Sequence, residues 1–330
     1  MRFSSAVFTS FVLSLLTLFT FQAIPSTHAL CTPKTYKMAD DIKGAGFFDA
    51  FDFEAIDDPT HGRVNYVDGE TAKRNNLTFG SGETFILRPD TVSILKPDGP
   101  GRDSVRLISK KNYTNHVAVF DIRHMPQGCG TWPAVWEVDP TNWPFGGEFD
   151  ILEGANDDGP NASTLHTGPG CVMPAGRSGM LGKQLDENCD STINNNIGCP
   201  VKFQQPESYG PAFNGNGGGW YAVERTPAAI KVWFWGRNDN NVPAQVRNGD
   251  ASVAPETWGT PTALFPENNC NIDQHFAAHN IIINLTLCGD WAGQTYGSTG
   301  CPSTCVDFVN NNPKSFEQAY FDFASLRVYL

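Results

Sequence analysis

Helical periodicity is scarce in this chain. Apolar residues recur instead at every second position, in short runs cut off by Gly, Pro, Asn and Asp. That is the pattern of antiparallel strands joined by turns, as in a sandwich or barrel. Strands are expected at "TVSILK" (91–96), "SVRLIS" (104–109), "HVAVFDIRHM" (116–125), "PAVWEVD" (133–139) and "GEFDILEG" (147–154). Further ones are expected at "WYAVER" (220–225), "AAIKVWFWGR" (228–237), "AAHNIIINLTL" (277–287) and "AYFDFASLRVYL" (319–330). In 228–237, Ile230, Val232 and Phe234 share a core face, while Lys231, Trp233 and Trp235 point the other way towards something else. Residues 168–219 and 236–275 are long irregular stretches, which a compact domain rarely keeps without a use. Held down by disulfides, they would wall a groove.

The strand at 147–154 is unusual. Glu148, Asp150 and Glu153 sit among Phe149, Ile151 and Leu152. Alternation puts Glu148 and Asp150 on one face but turns Glu153 towards the core. One extra residue repairs the parity. A β-bulge at Ile151 and Leu152 counts two residues as one, keeps both apolar side chains inward and returns Glu153 to the acidic face.

Three carboxylates in a row cannot all ionise freely. Two like charges about 4 Å apart repel by roughly 4 kcal/mol at an effective dielectric near 20, which is on the order of 3 pKa units. One acid should therefore hold a proton near neutral pH. A protonated acid beside an ionised carboxylate is the equipment for cleaving a glycosidic bond. A merely solvated acidic face does not account for "TWPAVW" (131–136) and Trp143 immediately upstream. A calcium loop of the EF-hand kind would need a Gly and alternating Asp that are absent here.

Arg2, an apolar run densest over 11–24 and "STHAL", with Thr27 and Ala29 at −3 and −1, predict a cleaved secretory signal over 1–29. The remainder, 30–330, reads as one all-β domain. A net charge of −12 repels nucleic acid and anionic membranes. In an oxidising compartment the nine cysteines suggest up to four disulfides and one left over, with the pairing open. Cys301 and Cys305 lack the His partners of a zinc site, and no metal or cofactor is expected. Sequons at Asn76, Asn112, Asn161 and Asn284 agree with export and predict glycosylated surface turns.

At "GCGTWPAVW…NWPFGGEFDILEGAN…TLHTGPGC…NLTLCGDWAG" the chain resembles the fungal laminarinase-type endo-β-1,3(4)-glucanases of glycoside hydrolase family 16, from about residue 35 to the C-terminus. The resemblance implies a β-jelly-roll sandwich of two antiparallel sheets with a concave cleft for sugar. It implies retaining double displacement, with Glu148 as nucleophile, Glu153 as general acid/base and Asp150 tuning the nucleophile. Trp136, Trp143, Trp291 and His166 match cleft positions, and Trp132 would support the cleft floor. Phe149 stands where the family usually has Ile. Glu137 and Asp139 stand where apolar or small residues are usual, and alternation reads them as solvated. The implied protein is a secreted monomer acting on β-glucan. The alternatives on the same fold are a transglycosylase and a non-catalytic glucan-binding protein, and the second of these would have lost the glutamates that are present here.

Overall fold

The computed structural model describes residues 1–2 and 33–330. Cys31 and the apolar run and cleavage point expected within 1–29 lie outside the described residues. No helix among those described is long and apolar enough to cross a membrane.

Two antiparallel sheets stack face to face. The eight-stranded sheet runs Lys183–Gln184, Val201–Lys202, Ala162–His166, Glu148–Glu153, Thr131–Val138, His279–Leu287, Arg106–Tyr113 and Phe51–Phe53. The other has Phe321–Tyr329, His116–His124, Gly219–Thr226 and Ala229–Gly236 at its centre. This is an all-β sandwich, one of the two architectures the alternating runs allow, and the jelly roll that the resemblance implies. Phe120, Ile122, Tyr221, Val223, Ile230, Val232 and Phe234 meet Val135, Phe149, Leu165, Ile281, Ile283 and Leu285 in one buried layer. Phe149 packs edge-on to Phe265 of the opposite sheet, 6.4 Å between centroids. Burying one such side chain contributes roughly 1.5–3 kcal/mol, so this layer is the main adhesive of the fold.

Trp233 and Trp235 do leave the core, as alternation requires, but they meet the chain itself. With Val117, Val119 and Trp220 they are buried beneath Val242, Val246, Val253 and Trp258. Trp258 stands edge-on to both, at 5.2 and 5.9 Å.

The structure corrects three expectations. "TVSILK" is not a strand: Val92 is 81% exposed, and Asp90 turns the chain by accepting from the amides of Val92 and Ser93. Glu137 is not solvated. It pairs across the sheet with Phe149 and Ile281, is 1% exposed, and sits 2.9 Å from His116 Nε2. Alternation placed it opposite Trp136 correctly, but that side is the interior. Asn161 and Asn284 are not in surface turns either. Both are buried with their amides engaged, so neither has room for a glycan in the folded chain, whereas Asn76 and Asn112 are exposed.

Four disulfides close over the loops: Cys129–Cys301, Cys171–Cys270, Cys189–Cys199 and Cys288–Cys305. Cys171–Cys270 ties the two long irregular stretches together across 99 residues. Closing a loop that size stabilises by about 4–5 kcal/mol in the chain-entropy account.

Candidate active site

The acidic strand starts where only glycine fits. Gly147 has φ +80°, and a Cβ there would lie 2.4 Å from His275 O. The strand then breaks step. Against Thr131–Val138, Asp150 faces Trp136, while Leu152 faces Val135 and Glu153 faces Ala134, so Ile151 is extra. Ile151 and Leu152 are both fully buried. The bulge required by the E-x-D-x-x-E spacing is thus present, and Glu148, Asp150 and Glu153 share the outer face with Trp136 and Ala134. Register extends that face on both sides, through His166 and Thr164 in one direction and Ile282, Asn284 and Thr286 in the other.

Burial pushes all three carboxyls up, each to about 8. The charge of Asp150 adds to the rise at Glu148 and Glu153, and His166 opposes it. For Asp150 burial is the raising cause, against a lowering contact with its own backbone. At neutral pH the trio therefore retains protons rather than carrying three charges. Glu153 Oε1 accepts a 2.8 Å bond from Trp132 Nε1. Trp132 thus touches an acid directly, a closer role than supporting the floor.

His166 Nδ1 lies 2.8 Å from Asn196 Oδ1, and its Nε2 lies 3.3 Å from Asp150 Oδ2. Donation to Asn196 fixes the tautomer and turns Nε2 towards Asp150. Asn194, Asn195 and Asn196 all have positive φ, inside the ten-residue span of Cys189–Cys199. Asparagine tolerates that conformation better than other non-glycine residues, so the triple Asn run was the sequence sign of this support.

Trp136 donates to Asn284 Oδ1 at 2.8 Å and lies under the Arg106 guanidinium, 5.0 Å from its ring centroid. Arg106 is held in turn by Glu54 at 2.7 Å. Asn284 also donates to the Tyr66 hydroxyl at 3.1 Å. Trp143 and Trp291 are 47% and 37% exposed, the latter 5.6 Å and edge-on from Trp132. Asn156, at the end of the quoted acidic stretch, ties the Trp291 segment down by donating to Ala292 O. The eight-stranded sheet carries the acids, Trp132, Trp136 and His166 on one face, and Trp291 adjoins Trp132. Arg106, Asn196 and Asn284 were missed, because their parts depend on register between strands far apart in sequence. Among the described residues, donor atoms of Glu148, Asp150 and His166 lie within 4.8 Å of one another, the one cluster dense enough to hold a cation.

A family model described as the XgeA-like catalytic GH16 domain matches residues 51–329. The chain belongs to glycoside hydrolase family 16. It is 58% identical to laminarinase 16A of Phanerochaete chrysosporium, with a TM-score of 0.89 over 90% of this chain and 100% of that one. That family 16 enzyme was solved with 6-O-glucosyl-laminaritriose in donor and acceptor sites. A probable glycosidase of Schizosaccharomyces pombe is 41% identical over 93% of this chain and 72% of its own length. A probable endo-1,3(4)-beta-glucanase of Aspergillus clavatus is 39% identical, and the chain spans about half of it (46%). Family 16 enzymes are retaining glycoside hydrolases, and retention is chemistry that two carboxyls on one face can serve.

Proposed function

We propose that this protein is an endo-β-1,3(4)-glucanase that hydrolyses internal bonds of laminarin-type and mixed-linkage glucans with retention. The observation that carries the reading is the bulged register, which places Glu148, Asp150 and Glu153 together on one tryptophan-lined face. Glu148 attacks the anomeric carbon. The glycosidic C–O bond breaks as Glu153 gives its proton to the departing sugar oxygen, leaving a glycosyl ester on Glu148. With the negative charge of Glu148 gone, the carboxyl of Glu153 loses its hold on a proton. Glu153 then takes one from water, whose oxygen displaces Glu148 and restores the original configuration. Asp150, with His166 beside it, tunes the charge of Glu148. Trp136, Trp143 and Trp291 offer ring faces to the apolar C–H patches of glucose.

Export, a cleaved signal over 1–29, glycans on Asn76 and Asn112 and action as a monomer complete the proposal. The identities shared with fungal glucanases and the disulfide-rich loops support it. The activity is tested with Glu148→Ala and Glu153→Ala on laminarin. Each is expected to reduce release of reducing ends by at least about 10³-fold, and near wild-type rates in both would end the assignment. The same intermediate gives a longer glucan when a sugar attacks in place of water. Mass analysis of products at high oligosaccharide concentration separates the two outcomes.

A further inference from the structure

The bulge that aims Glu153 has to be held open. A one-residue slip would restore regular pairing and turn Glu153 inward and Leu152 outward. Pairing with Ala162–His166 runs only from Glu148 opposite His166 to Asp150 opposite Thr164. Beyond it, the carbonyl of Ile151 and the amide of Glu153 have no strand partner. Two side chains take up both groups. Asn161 Nδ2 donates to Ile151 O at 2.9 Å, and Ser163 Oγ donates to the same oxygen at 2.8 Å. Asn161 Oδ1 accepts from Glu153 N at 2.9 Å. The Asn161 amide thus spans the bulge, gripping Ile151 on one side of Leu152 and Glu153 on the other.

This amide is itself buried and fully bonded. Asn161 is 0% exposed, as is Ser163. Its backbone N–H donates to Ser208 Oγ at 3.0 Å, and its carbonyl accepts from Phe203 N at 2.8 Å. All four of its polar groups are engaged, and two of them grip the acidic strand. On the acidic strand Gly154, which follows Glu153, adds a stop, because a Cβ there would meet the Tyr209 ring at 2.4 Å.

We propose that Asn161 and Ser163 are positioning residues for catalysis, a clamp that holds the bulge open and sets the aim of Glu153. The inference rests on Glu153 being the general acid. Its signature is dependence on the leaving group. A sugar oxygen needs a proton to depart, and dinitrophenolate does not.

The test compares kcat/KM on laminaripentaose with kcat/KM on 2,4-dinitrophenyl β-laminaribioside, with melting temperature recorded for each variant. Asn161→Ala is expected to lose about 100-fold on the pentaose and Ser163→Ala about 10-fold, each staying within about 3-fold of wild type on the aryl substrate. Asn161→Asp keeps the acceptor for Glu153 N but sets an anion against Ile151 O, and should lose as much as Asn161→Ala. Equal losses on both substrates would mean that the pair only holds the fold, and would overturn the clamp. Full activity on both would overturn it as well. If Asn161→Ala does not fold, the ratio in Ser163→Ala decides. Glu153→Ala is the separate control. If it lacks the same selectivity, the general-acid assignment fails, and that result is distinct from either failure of the clamp.

Discussion

Both outer faces of the sandwich carry rows of tryptophan, and the chain treats them in opposite ways. On the nine-stranded sheet, Trp220, Trp233 and Trp235 are sealed beneath residues 242–258, with Trp258 as the edge-on lid. On the eight-stranded sheet, Trp132, Trp136 and the neighbouring Trp143 and Trp291 surround three acids and keep part of their ring surface open. A strand with aromatics on its outward side is therefore no evidence of a ligand site by itself. What separates the two faces is whether a later stretch of the chain folds back as a cover.

The contrast is broken most severely by removing the cover. Trp258→Ala is expected to cost about 3–5 kcal/mol of stability with KM for laminarin unchanged, measured by denaturant melts beside Michaelis kinetics. Glu137→Ala strips the buried partner of His116. Burial alone would raise the pKa of this carboxyl, but His116, Arg225 and His279 hold it below the usual range, as an anion. Leaving His116 without it should cost about 3 kcal/mol, read in the same melts.

The open face should behave in reverse. Its three carboxyls bind protons more tightly folded than unfolded, so folding stability is greatest below their ordinary pKa near 4 and is lost as pH rises towards about 8. Glu148→Gln should therefore melt higher than wild type at pH 8, by about 2–4 °C for on the order of 1 kcal/mol after allowing for solvent screening. The two should converge at pH 4, while the variant's activity is lost. A melting curve for Glu148→Gln that runs parallel to wild type across this range would show that the acids carry no strain. Smallest is Trp143→Ala, expected to raise KM about 5–10-fold with a melting shift under about 1 °C. A large melting shift would place Trp143 with the covered tryptophans.

Much of this was legible in the sequence, for a local reason. Alternation needs only neighbouring residues, so the strands around 120, 135, 150, 223, 232, 283 and 325 could be read, and the parity of Glu148 and Glu153 was enough to demand a bulge. What could not be read depends on which strands meet. "TVSILK" alternates as well as any run but lies between Pro89 and Pro97 and finds no partner strand. Glu137 was placed on the correct side of its own strand, yet only the register with Phe149 makes that side the interior. Asn196 reaches His166 across 30 residues, and only the folded loop of Cys189–Cys199 shows why three asparagines stand together.

The two clamp residues, Asn161 and Ser163, are also the Asn and Ser of an N-x-S sequon. In an exported chain that triplet is a substrate for sugar transfer until the sheets close around it, and a bulky glycan attached there could never be packed inside. Maturation of such a chain is then a race between collapse around residue 161 and the transferase, and a polypeptide that loses it has no route to an enzyme.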